Sequence, residues 1–303
     1  MSDNDNSRRV LLGAAFANAA MGTDFITIRD IAQAVEGIGF DNLATNDHVV
    51  GGHPDRAGGE RMHTAETPVH EPLVLLSFIG AVTTRLELVT AILLLPQRQT
   101  TLVAKQVAEL DLLSNGRVRL GVGVGRNWME YEALNENFRN RGKRIEEQIE
   151  VLRRYWTEEL VTFEGQWHAL DRVGLNPMPI QRPIPIWMGS FFGFVAEPVI
   201  ERIGRMADGW MPQFPPDELA PVLERVRVYA RAAGRDPSEV SIECAVQVGA
   251  DQNPDQWIER ATAYLDLGAT HLKVMANPAD FTTPAARLDA MTAWYEAVAP
   301  AVR

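Results

Sequence analysis

The sequence predicts a single α/β domain, a closed (β/α)8 barrel, on three observations. Short β-rich apolar runs alternate with longer segments of helical period from Val10 onward, eight such pairs can be counted, and no long linker or low-complexity stretch interrupts them. A chain of 303 residues accommodates such a barrel as one domain over 1–303, with residues 1–9 as a flexible lead-in. An open doubly wound sheet is the alternative arrangement of the same units.

The elements follow in order. Strand candidates are VLLGAAF (10–16), DNLAT (41–45), LELVTAIL (86–93), RVRLGVGV (117–124), IPIWMGS (184–190), GWMP (209–212), VSIECAVQV (240–248) and HLKVMA (271–276). Each reads as apolar on both faces, the pattern of a strand buried beneath helices. Helix candidates between them cover 28–39, 72–84, 101–114, 143–156, 195–207, 217–234, 254–268 and 285–298. In 143–156 the apolar positions Ile145, Ile149, Leu152 and Trp156 form one inward stripe. Gly39, Gly116, Gly234 and Gly268 stand where helices stop. Two segments exceed ordinary loop length. One, 49–70, follows the second strand and is rich in Gly and His, and its part 51–63 reads as a mobile lid. The other, 160–183, is an insertion before the fifth strand, with LVTFEG and QWHAL predicted to pair as a hairpin turning near Gly165.

Charge and composition narrow the partners. With 29 basic and 40 acidic residues the net charge is −11, which opposes attraction to nucleic acid or an anionic membrane and favours a small-molecule substrate. The start, MSDNDNSRRV, has no apolar leader, and the longest strongly apolar stretch, AILLLP, is far short of a membrane span, so a cytoplasmic location is expected. The single cysteine, Cys244, excludes an intrachain disulfide and a thiolate zinc cluster, and it reads as a buried structural residue.

The chemistry-bearing residues gather at predicted strand ends. Asp47 and His48 lie just past the second strand, on the face where barrel enzymes place reactive groups. The imidazole can carry a proton near neutral pH, and the adjacent carboxylate could hold its tautomer. The alternative is that Asp47 caps a turn and His48 packs. The run LGVGVGR (120–126) fits neither G-x-G-x-x-G nor a Walker motif. Its Gly121, Gly123 and Gly125 either let a flat ligand approach the backbone or accommodate a bulge. His48, His53, His63 and His70 cluster in sequence without metal-ligand spacing, so no metal is expected. No G-x-S-x-G serine motif occurs.

TNDHVV (45–50), LVTAILLLPQRQTTLVAKQVAELDLLSNGRVRLGVGVG (88–125), FRNRGKRIEEQIEVLRRYWTEELVTFEGQWHAL (138–170), LNPMPIQRPIPIWMGS (175–190) and RMADGW (205–210) resemble the luciferase-like monooxygenase superfamily. Within it they are most similar to the coenzyme F420-dependent oxidoreductases, over about residues 10–276. The resemblance implies a TIM barrel with an insertion before the fifth strand and hydride transfer between deazaflavin and a small organic substrate. It implies a homodimer as well. It places Asp47 and His48 beside the reactive ring, His48 as proton donor or acceptor, and a non-prolyl cis peptide at Ala91 and Ile92 behind the ring. Val124, Gly125 and Arg126 match cofactor-contacting positions, and Gly189 and Ser190 match the start of a phosphate-binding loop. That loop departs from the family's glycine-rich form by continuing Phe191, Phe192, Gly193, Phe194. The alternatives are an FMN-dependent monooxygenase fed by a partner reductase and a non-catalytic flavin-binding protein.

Overall fold

The computed structural model describes residues 9–16, 21–56, 63–190 and 195–303. Residues 1–8 of the expected lead-in, 57–62 of the expected lid and the segment Phe191–Phe194 lie outside the described residues. Eight parallel strands close into a barrel: β1 (Leu11–Phe16), β2 (Asn42–Thr45), β3 (Glu87–Leu94), β4 (Val118–Gly123), β7 (Ile186–Gly189), β8 (Gly209–Met211), β9 (Ser241–Val248) and β10 (His271–Ala276). Their order around the ring is β1-β10-β9-β8-β7-β4-β3-β2, and β1 pairs with β10 from Leu11↔His271 to Ala14↔Val274 to close it. The remaining two strands, β5 (Val161–Glu164) and β6 (Ala169–Val173), form the antiparallel hairpin of the insertion.

The helices are α1 (Phe25–Ile38), α2 (Pro72–Val82), α3 (Thr100–Leu113), α4 (Trp128–Ala133), α5 (Arg141–Thr157), α6 (Glu197–Met206), α7 (Pro216–Ala232), α8 (Pro254–Asp266) and α9 (Pro284–Val302). The short α4 has no counterpart among the sequence-based elements. Its Asn127 caps it by accepting from the Met129 amide at 3.3 Å. The four predicted stop glycines all adopt positive φ, from +74° to +113°.

Alternation along the strands sorts two cores. Outward residues such as Leu12, Leu43, Leu88, Leu120, Ile186 and Leu272 pack beneath the helices, while Ala44, Val89, Trp187 and Met211 fill the upper barrel interior. The lower interior corrects the expectation of strands apolar on both faces. Glu87, Arg119, Glu243 and Lys273 all point inward there and are buried or nearly so. Arg119 meets Glu87 at 3.0 Å and Glu243 at 2.8 Å, and Lys273 donates to Glu243 at 2.8 Å. The Arg119 guanidinium also lies 4.3 Å from the centre of the Trp187 ring. Burial pushes the Glu243 carboxyl up, but Arg119 and Lys273 outweigh it and hold the group well below the usual carboxylate range. A buried charge persists only with such partners.

The inserted hairpin is clasped against the barrel by one carboxylate. Glu147 of α5 accepts the Gln166 and Trp167 amides, both at 2.8 Å, and meets His168 Nδ1 at 2.7 Å, while His168 Nε2 bonds Thr100 Oγ1 at 2.6 Å. The hairpin tip therefore sits against the start of α3.

Candidate active site

The carboxyl ends of the strands gather Asp47, Ala91, Gly125, Gly189 and Gln247 at one mouth. Asp47, two residues past β2, turns away from its neighbour His48. Its Oδ2 accepts the Leu94 amide and its Oδ1 accepts from Arg98 Nη2, both at 2.9 Å. Arg98 reaches on to Glu71 at 2.8 Å. Burial pushes the Asp47 carboxyl above its ordinary range against the pull of Arg98. Only 1% of its side chain is exposed. The expectation that Asp47 holds the His48 tautomer is therefore corrected, because both of its oxygens are spent on the loop after β3.

His48 has a different carboxylate behind it. Its Nδ1 lies 3.2 Å from Glu130 Oε1 and 3.4 Å from Oε2. Glu130, fully buried in α4, also accepts the Val49 amide at 2.9 Å, so it fixes both the ring and the backbone beside it. The ionised carboxylate only accepts, which assigns the proton to Nδ1 and leaves Nε2 with its lone pair. The His48 side chain is 21% exposed, and its ring stacks on His63 with centroids 3.8 Å apart. Sequence reasoning missed Glu130. The available signal was Asn127 followed three residues later by Glu130, the spacing of a helix start.

Beside these groups stands the bulge of β3. The Ala91–Ile92 peptide is cis, and the β3–β4 register shifts between Thr90 and Leu93. Gly123 and Gly189 flank the Ile92 side chain so closely that a Cβ would sit 1.9 Å from its Cδ1 or 2.6 Å from its Cγ2. Of the two readings of the strand-4 glycines, Gly123 thus serves the bulge. Val124 O accepts from the Tyr131 hydroxyl at 2.5 Å, and Gly125 O accepts from Arg141 Nε at 3.2 Å. Ser190 Oγ accepts from Trp210 Nε1 at 3.1 Å. Arg126 follows at the end of the same β4 loop.

Among the polar groups buried with no partner at this end are both polar atoms of the Gln97 carboxamide after β3, Asn127 Nδ2 after β4 and Gln213 Oε1 after β8. Buried polar atoms of this kind call for a ligand or water. Among the described residues, no group of three or more His, Cys, Asp or Glu is placed to hold a metal, and no helix is long and apolar enough to cross a membrane.

The profile of the luciferase-like monooxygenase family matches residues 10–300. The chain belongs to this family. An uncharacterized protein of Mycobacterium tuberculosis is 35% identical over 235 residues, 75% of this chain and 80% of its own. An F420-dependent glucose-6-phosphate dehydrogenase of Kineococcus radiotolerans is 27% identical over 263 residues, 80% of this chain and 69% of its own. The solved structure of an F420-dependent secondary alcohol dehydrogenase in complex with an F420-acetone adduct superposes with a TM-score of 0.79 at 18% identity. It covers 97% of this chain and 99% of its own, a likeness of fold. For a luciferase-like chain the arrangement brings to the mouth a proton-carrying group, His48, whose rear is fixed by Glu130.

Proposed function

We propose that the protein is an F420-dependent oxidoreductase that passes a hydride between the deazaflavin and a small organic substrate. The observation that carries this reading is the His48–Glu130 pair, half-open at the mouth of a luciferase-like barrel. Relatives named as F420-dependent support the choice of cofactor. The bound deazaflavin would supply the hydride, since its reactive ring position is a carbon. The orphaned atoms of Gln97 and Asn127 fit the polar edge of such a ring. Ala91 and Ile92 would back it, and Val124, Gly125 and Arg126 would border it. Gly189 and Ser190 would open the phosphate contacts. Asp47 acts from behind, through Leu94 and Arg98, to set the loop that the ring would rest on.

As charge changes on the substrate, a proton must move with it. His48 presents Nε2 toward the mouth and can take that proton while Glu130 stabilises the imidazolium that results. The reverse movement serves substrate reduction. Parallel fluorescence titrations with oxidised F420 and with FMN test the reading. Tighter binding of F420 is expected. Tighter binding of FMN, with oxygen consumed once it is reduced, would give the site to a monooxygenase.

A further inference from the structure

Across the mouth from His48 the barrel wall opens. Strand β8 pairs with β9 only at Gly209↔Ser241 and Trp210↔Ile242, whereas β9 stays paired with β10 as far as Val248. From Glu243 onward, the β8-facing edge of β9 has no partner among the described strands. The chain leaving β8 is a poor substitute, since Pro212, Pro215 and Pro216 lack N–H groups and lead outward into α7. The gap holds a cavity of about 320 Å³. In the ring order β8 lies four strands from β2 in either direction, so this cavity faces His48 across the full mouth.

Its lining has a consistent chemistry. Gln247 shares the inward side of β9 with Glu243 by alternation. Gln213 has a buried Oε1 without a partner, and the flipped carboxamide puts Nε2 at that place as a donor in want of an acceptor. Gln252 accepts through Oε1 from the Gly249 amide and from Trp257 Nε1, both at 3.2 Å, which leaves its Nε2 as donor. Arg260 adds a guanidinium one helical turn before Tyr264, whose hydroxyl donates to Phe214 O at 2.8 Å. The described residues lining the cavity include no carboxylate, in a chain of net charge −11.

We propose that this cavity is a subsite for the carboxylate end of the substrate. A guanidinium fork with carboxamide donors beside it matches the two oxygens of a carboxylate, and the Phe214 and Tyr264 rings take the adjoining carbon skeleton. Eight tilted strands make a barrel on the order of 15 Å across. A substrate with its reacting carbon near His48 therefore carries its carboxylate on the order of 10 Å away. Assigning the carboxylate to the substrate rests on the oxidoreductase reading, whereas the subsite itself does not.

Calorimetric titration of citrate into the cofactor-free protein and into the protein saturated with F420 tests the subsite. Saturable binding is expected in both. Arg260→Gln, on an exposed helix face, and Gln213→Leu should each weaken it, the first by roughly tenfold or more, with unchanged thermal melting. Absence of saturable binding, indifference to Arg260→Gln, or glucose bound as tightly as citrate would overturn the proposal. Loss of citrate binding on F420 saturation would overturn the substrate assignment, because the cofactor would then fill the cavity. A protein that binds citrate through Arg260 but no deazaflavin would keep the subsite and remove the oxidoreductase reading.

Discussion

Two sets of buried charges share the barrel interior and are answered differently. At the lower end, Glu87, Arg119, Glu243 and Lys273 close on one another, with the Arg119 side chain 2% exposed. At the mouth, Glu130 closes the rear of His48, the His63 ring stacks on its face, and its side chain is 21% exposed. A charge met on every side holds the strands in place. A group met on one side keeps a free valence for a ligand, and chemistry belongs there.

The largest expected effect breaks the open pair. His48→Ala should lower hydride transfer by roughly two to four powers of ten while F420 affinity stays nearly constant. Single-turnover rates beside cofactor titrations separate the two, and full activity in the variant would make His48 structural.

The closed set should respond in stability instead. Arg119→Met strips Glu87 of its partner and leaves Glu243 to Lys273 alone, a loss on the order of 3 kcal/mol visible in urea unfolding. Replacing Glu87, Arg119, Glu243 and Lys273 together by apolar residues should restore much of it, because the desolvation of all four disappears at once and no charge is left without its partner.

A third effect comes from His271, which packs edge-on to Trp187 at 4.9 Å in the lower interior. Burial, with Arg119 nearby, pushes its imidazole down to about 4. Between the ordinary histidine value near 6.5 and about 4, the unfolded chain binds more protons than the folded one. Stability should therefore fall as pH drops through that window, by up to roughly 3 kcal/mol. His271→Gln should flatten this part of the pH–stability curve, and an unchanged slope would remove His271 as its source.

The smallest effect concerns the stacking partner. His63→Ala should change hydride transfer by less than about tenfold, since the ring contributes stacking rather than a proton path. A loss as large as that of His48→Ala would show that both imidazoles act in the chemistry.

The barrel was legible because its strands and helices keep their periods, and HLKVMA (271–276) coincides with β10 at both ends. The closed charges were missed, because each strand read as apolar on both faces although the charges stand in the strand runs themselves. Glu87, Glu243 and Lys273 are single full charges at alternating positions in otherwise apolar runs, and Arg119 stands two positions from Arg117 in another. Periodicity could not show that they meet, since they are brought together by closure of a sheet over strands far apart in sequence. The Asp47–His48 neighbours invited the opposite error. Adjacent residues past a strand point apart, so Asp47 serves Leu94 and Arg98 while the partner of His48 comes from 82 positions downstream. The α4 helix that delivers Glu130 has only six residues, too few to declare a period.

The proposed proton route depends on which nitrogen of His48 faces the mouth. Nitrogen NMR of histidine-labelled protein at alkaline pH reads the tautomer directly, with His48→Ala identifying the signal. Glu130 behind the ring predicts a proton on Nδ1 and a bare Nε2, lost in Glu130→Leu. A neutral ring protonated on Nε2, unchanged by Glu130→Leu, would contradict the pairing and with it the proposed route of the proton.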